Sequence, residues 1–220
     1  VSAVDGAVES LTMRDEQLMR AAESHLRASG VRMAALVDGV GPCQITYTPP
    51  TFESLARSIV YQQISIRAAR SIYGKLQGAC NQPAALQPKH LLQLSEPQLR
   101  ACGLSGQKAR YILDLAAKTE QGLVEFHRFP AMSDEEVIAE LTLVKGIGVW
   151  TAQMFLLFSL RRMDVWPTGD LGIRNAIKKL HRLKEAPTPA ETERRGRKWR
   201  PYGSVASWYL WRSLEPTGPF

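Results

Sequence analysis

The sequence predicts an all-α fold, and three observations carry that reading. Apolar residues recur at helical spacing, helix-start signals are frequent, and no alternating apolar–polar run is longer than QITYT at 44–48. Residues 11–29 place Leu11, Leu18, Ala21, Ala22 and Leu26 at broadly helical spacing, and Gly30 follows as a stop. The glycines and paired prolines of GVGPCQITYTPPT, 39–51, mark a linker. From Phe52 the run to Leu76 reads as a helix interrupted near QQIS, 62–65, and then a second helix. Ser95 with Gln98, Ser133 with Glu136 and Thr188 with Glu191 have the capping-box spacing, at which two side chains satisfy each other's free backbone donors. Pro189 suits a first helical position, where its missing N–H costs nothing. Helices are also expected over 109–117, 134–143, 149–160, 171–180 and 205–214.

Composition narrows the classes. A chain of 220 residues, 45% of them apolar, accommodates one large domain or two small lobes around a sizeable core. No apolar run approaches the roughly 20 residues of a membrane span, and VSAVDGAVES lacks the charged start and apolar core of an export signal. These features predict an intracellular protein without a membrane partner. Cys43, Cys80 and Cys102 are odd in number and widely separated, which fits a reducing compartment and is too few for a four-cysteine iron–sulfur or zinc site. The net charge is +7, and 161–200 alone carries 12 Lys or Arg against 5 Asp or Glu. That localised excess points to a polyanionic partner, nucleic acid ahead of a membrane surface, although a solvated helix face has the same composition.

The most informative stretch is LTLVKGIGVWTAQMFLLF, 141–158. A helix is expected to end near Leu143, a tight Gly146-Ile147-Gly148 turn to follow, and a new helix to start near Val149. Glycines tolerate positive φ and let another backbone come close. The unpaired N–H groups and positive dipole end of a helix start form a phosphate site, and Thr151 adds a hydroxyl there. Lys145, Gly146, Gly148 and Thr151 are therefore candidates to grip DNA phosphates without reading sequence. A plain turn between two helices is the competing reading.

The hairpin followed by WPTGD, 166–170, resembles the helix-hairpin-helix DNA glycosylase superfamily. IVYQQIS at 59–65, GLSGQKARYILDLA at 103–116 and WRPYGSVASWYLWR at 199–212 resemble its alkylated-base branch, the 3-methyladenine glycosylase II type. The likeness covers roughly residues 50 to 214. It implies two helical lobes, one over about 52–160 and the other combining 1–51 with 161–220, with a basic DNA-binding cleft between them. It also implies base removal from double-stranded DNA by a monomer in the bacterial nucleoid or a nucleus, with no cofactor needed for the chemistry and no iron–sulfur cluster.

Site residues follow from the resemblance one by one. Asp170 matches the catalytic carboxylate, which stabilises positive charge on the deoxyribose as the base leaves and orients or deprotonates the attacking water; a plain N-cap is the competing reading. Trp150 stands where strand-cutting members carry a nucleophilic lysine, which implies hydrolysis without lyase activity. Trp150 and Met154, four apart on one helix face, and Trp199 match pocket positions, where electron-rich rings attract a cationic alkylated base. The alternative for each is simple core, and Trp208 and Trp211 are read as core. Gln63, with Ile64 next, matches the side chain that fills the gap left by the extruded nucleotide, a surface Gln and a core Ile being the alternative. A structural Na+ or K+ would rest on the backbone carbonyls of Thr142, Val144 and Ile147. Two departures stand out: Gly203 occupies a place where arginine is expected, and about 50 leading residues are too few for the β-rich domain of the larger enzymes, so the resemblance implies a compact form. Glycosylases of oxidised or mispaired bases and non-catalytic hairpin modules are the rivals; Trp150 counts against the first and Asp170 against the second.

Overall fold

The computed structural model describes residues 13–80 and 85–215. Leu11 and the VSAVDGAVES segment lie outside the described residues. Among the described residues, all regular structure is helical. In chain order the helices are α1 (Met13–Ala28), α2 (Val31–Val40), α3 (Phe52–Tyr61), α4 (Ile66–Ala79), α5 (Pro88–Leu91), α6 (Glu96–Ala101), α7 (Gly106–Glu120), α8 (Asp134–Thr142), α9 (Val149–Phe158), α10 (Leu171–His181), α11 (Pro189–Gly196) and α12 (Gly203–Arg212), with single 3₁₀ turns at Phe129–Ala131 and Arg197–Trp199. No described helix is long and apolar enough to cross a membrane.

The helix starts form for local reasons. Ser95, Ser133 and Thr188 each accept from the backbone N–H three residues on, and Gln98, Glu136 and Glu191 each reach back to the N-cap N–H. All three expected capping boxes are present, and Pro189 takes the first position of α11. α2 was not expected. Gly30 ends α1, but the chain turns there at φ 147° and a new helix starts at the next residue, burying Met33, Leu36 and Val37. The QITYT stretch has no regular secondary structure; Ile45 and Tyr47 are buried, and the Thr48 N–H donates to the Phe158 carbonyl.

The described residues fall into two compact units, one drawn from Val1–Thr48 with Leu156–Phe220, the other from Pro49–Phe155. The second unit packs Leu55, Ile59 and Val60 of α3 with Ile112 and Leu115 of α7, and Phe126 meets Phe52, Phe129 and Phe155 edge-to-face at 5.3–6.3 Å. The first unit buries Leu26, Leu36, Ile173, Ile177, Trp199 and Tyr209 completely. Full burial of an aliphatic or aromatic side chain of this size stabilises by about 1.5–3 kcal/mol. Within that core Tyr209 donates to the Gly41 carbonyl and to Glu23, whose carboxylate also accepts from the Cys43 N–H. Burial pushes the Cys43 thiol up to about 12, which leaves it chemically inert.

Candidate functional site

In the second unit the candidate residues lie on two turns. The hairpin joins α8 to α9: the Ile147 N–H returns to the Val144 carbonyl at 3.1 Å, and the Ala152 N–H takes up the Gly148 carbonyl as α9 begins. Val144 and Ile147 are buried beneath, while Lys145, Gly146 and Gly148 are exposed and Thr151 is half-buried. The two glycines are there for different reasons. Gly146 has φ 82°, and a Cβ on it would run into the Tyr111 ring of α7, so both its conformation and its packing exclude a side chain. Gly148 has nothing within 4 Å of where a Cβ would stand; its backbone is open to whatever approaches the start of α9. Trp150 is 49% exposed on that first turn, with Met154 half-buried one turn on.

QQIS forms the tight turn between α3 and α4. Gln63 is exposed with φ 57°, the left-handed region that side-chain-bearing residues seldom adopt, and Ile64 is 38% exposed. Helix α7 braces both turns. Lys108 Nζ donates to the Val60 and Gln62 carbonyls, both at 2.6 Å. Asp114 Oδ2 accepts the Lys145 N–H at 2.8 Å and is held in turn by Lys118. Burial pushes the Asp114 carboxyl up, but the bonds from Lys118 and Lys145 outweigh it and hold it below the ordinary carboxylate range.

In the first unit the decisive residue is Asp170. It caps α10, its Oδ1 accepting the Ile173 N–H at 2.7 Å, and the same oxygen accepts Trp211 Nε1–H from α12 at 3.0 Å. The residue is only 9% exposed. WPTGD folds to put it there: Trp166 is buried and donates from Nε1 to the Thr192 carbonyl, while the Asp170 N–H closes onto the Pro167 carbonyl at 3.0 Å. Ser204 clasps the approach, accepting the Val165 N–H, donating its hydroxyl to the Arg162 carbonyl, and donating its N–H to the Met163 carbonyl. Capping and a catalytic placement are thus compatible, since capping fixes the carboxylate. Beside it Leu171 is 62% exposed.

Two expectations change here. Trp199 is fully buried, edge-to-face on Trp166 at 5.2 Å, with Lys198 over its ring. A ring without exposed surface cannot stack on an incoming base, so Trp199 is a core residue and leaves the pocket set. Trp211, read as core, instead holds the carboxylate and stacks on Phe158 at 6.0 Å and 22°. A signal for it existed: Trp211 lies seven residues after Ser204, hence on the same face of α12. Gly203 also has a local reason. Its N–H donates to Asp164 Oδ1, and a Cβ would sit 3.0 Å from that oxygen and 3.1 Å from the Val165 carbonyl. The guanidinium on Asp164 comes from Arg200, at 2.9 Å.

Residues 56–201, well over half of the chain, match the HhH-GPD superfamily of base excision DNA repair proteins. The chain belongs to that superfamily. The HhH-GPD match takes in the QQIS turn, α7, the hairpin and Asp170, and it ends before Trp211. DNA-3-methyladenine glycosylase 1 of Schizosaccharomyces pombe is 33% identical over 209 residues, which are 94% of this chain and 90% of that protein. The solved structure of the same yeast's 3-methyladenine DNA glycosylase (Mag1), in complex with abasic DNA, matches with TM-score 0.79 over 90% of this chain and 98% of that one. A DNA-3-methyladenine glycosidase from Bacillus halodurans, 36% identical, matches with TM-score 0.78 over 87% and 88%.

Proposed function

We propose that this HhH-GPD chain is a DNA glycosylase of base excision repair, hydrolysing the N-glycosidic bond of alkylated bases of the 3-methyladenine type. The observation that carries the reading is the buried Asp170 carboxylate at the end of WPTGD, held by Ile173 and Trp211. The relatives' names, at about one-third identity over nearly the whole chain, support the same activity.

The chemistry follows from the residues. A base must leave the duplex before its bond can be reached. Gln63, presented at the tip of an exposed turn and followed by Ile64, fills the gap that extrusion leaves. The open backbone at Gly148, the N-terminus of α9, Lys145, Gly146 and Thr151 grip phosphates through N–H groups, a hydroxyl and charge. Trp150, with Met154 beside it, stacks on the base; an aromatic face against a cationic base contributes about 0.5–2 kcal/mol. As the C1′–N bond breaks, its electron pair leaves with the base and positive charge spreads over the sugar. Asp170 stabilises that charge and orients the water, whose oxygen bonds to C1′ and whose proton is lost. Trp150 offers no nucleophilic nitrogen, so no Schiff base forms and the product is an intact abasic strand.

The hairpin also suits a monovalent cation. Thr142 ends α8, where the last carbonyls have no partner within the helix, and Val144 and Ile147 lie in the turn that follows, the Val144 carbonyl keeping one lone pair beyond its bond from the Ile147 N–H; these neutral backbone oxygens suit Na+ or K+ better than a transition metal. When bound, the ion would add positive charge beside the phosphate grip. We read the protein as an intracellular monomer acting on double-stranded DNA that carries a damaged base.

Excision from a panel of oligonucleotides, each with one defined lesion, tests this reading. Alkylated purines should be released, with strand breakage only after alkali and no adduct trapped by borohydride. Release confined to oxidised bases, or a trapped covalent adduct, contradicts it.

A further inference from the structure

One face of α7 reaches both turns that the proposed function assigns to DNA. Lys108, Tyr111 and Asp114 recur every three residues and so share that face. Lys108 grips the carbonyls of Val60 and Gln62, the Tyr111 ring lies against Gly146, and Asp114 holds the Lys145 N–H. Tyr111 is itself bonded to Gln107, and Asp114 to Lys118, so the face is cross-braced along its own helix. None of these side chains belongs to the residues assigned to the base, the sugar or the phosphates.

The contact at Lys108 is the most telling. The last carbonyls of a helix need partners from outside it, and a lysine supplies them. Here one ammonium takes a carbonyl from the end of α3 and another from Gln62, immediately before the left-handed Gln63. A side-chain-bearing residue keeps such a backbone only where its surroundings determine it. We propose that Lys108 is a positioning residue that holds the QQIS turn in the conformation presenting Gln63 to a duplex, and that α7 thereby sets the turn and the hairpin at one fixed separation. This rests on the reading of Gln63 as the gap-filling side chain of a glycosylase.

The test compares single-turnover excision by the wild type, Lys108→Met, Lys108→Arg, Gln63→Ala and the Gln63→Ala/Lys108→Met double variant. Each is measured on an alkylated base paired within a duplex and on the same base in a one-nucleotide bulge, where it is already unpaired. Lys108→Met is expected to lower excision of the paired lesion about tenfold or more and that of the bulged lesion less than about threefold. The double variant should be no slower than Gln63→Ala alone, and Lys108→Arg, which keeps the donors, should recover most of the loss. Equal losses on both substrates, or losses that multiply in the double variant, overturn the proposal while leaving the glycosylase reading standing. If the wild type excises neither substrate, the glycosylase reading falls and this proposal with it. Thermal melts accompany each variant; should Lys108→Met not fold, Lys108→Gln takes its place with the same outcomes deciding.

Discussion

Asp170 Oδ1 receives two N–H donors, and they do different work. The bond from Ile173 is an N-cap and belongs to the fold of α10; the bond from Trp211 comes from another helix and fixes where the carboxylate points. Trp211→Phe keeps the stack on Phe158 and removes the N–H. A hydrogen bond to a charged acceptor contributes about 1.5–3 kcal/mol to stability, so the variant should melt several degrees lower, and excision by the protein that remains folded should slow roughly tenfold or more because the carboxylate loses the donor that orients it. Single-turnover kinetics beside a thermal melt check this. What was legible in the chain was local placement: the cap that Asp170 makes on α10, and Trp150 on the first turn after the hairpin. What was not legible was which tryptophans face inward. Trp199 and Trp211 sit in one motif, and only the packing against Trp166 and Phe158 separates the buried ring from the one that holds the acid. Gly203 shows the same limit, because the nearness of Asp164 and the Val165 carbonyl exists only after folding. Gly203→Ala should destabilise by about 1–3 kcal/mol through overpacking, measured by denaturant titration.

The hairpin is where an element's fold and function separate most cleanly. Gly146→Ala meets the Tyr111 ring and an unfavourable φ, and should lower stability by more than about 1 kcal/mol. Gly148→Ala meets nothing in the protein, so it should melt close to the wild type while weakening DNA binding, because the added methyl stands where a phosphate would approach. Parallel melts and binding titrations distinguish the pair. Asp114 gives the hairpin a pH signature. Its carboxyl titrates below the ordinary 3.8, so the charged form stabilises the fold above that pH, and the contribution is lost as pH falls through the depressed value. Asp114→Asn should therefore cost about 1.5–3 kcal/mol at neutral pH, and the difference from the wild type should shrink in acid. Helices with a cap signature were readable in advance, since a capping box is a local event. α2 was not, because VRMAALVDGV is apolar at nearly every early position and blurs the helical period, and a glycine that ends one helix does not forbid another.

At the scale of the whole molecule, the basic stretch is less available than its composition implied. Within 161–200, Arg161, Arg174, Lys179 and Arg200 donate to oxygens of the protein itself and Arg194 pairs with Glu191, while Lys178, Arg182, Lys184, Arg197 and Lys198 are exposed. A charge count cannot tell a structural guanidinium from one that meets phosphate. Binding to duplex DNA, damaged or not, should still weaken steeply as salt rises, since each phosphate contact adds about −0.9 to the slope of log K against log salt; a flat salt response would contradict a backbone grip. The proposed chemistry turns on the Asp170 carboxylate. Asn caps a helix as well as Asp does, so Asp170→Asn should fold, melt near the wild type and bind alkylated duplex with similar affinity. It should release essentially no base; excision near the wild-type rate by a folded, DNA-binding Asp170→Asn protein would mean that this carboxylate is not the catalytic group.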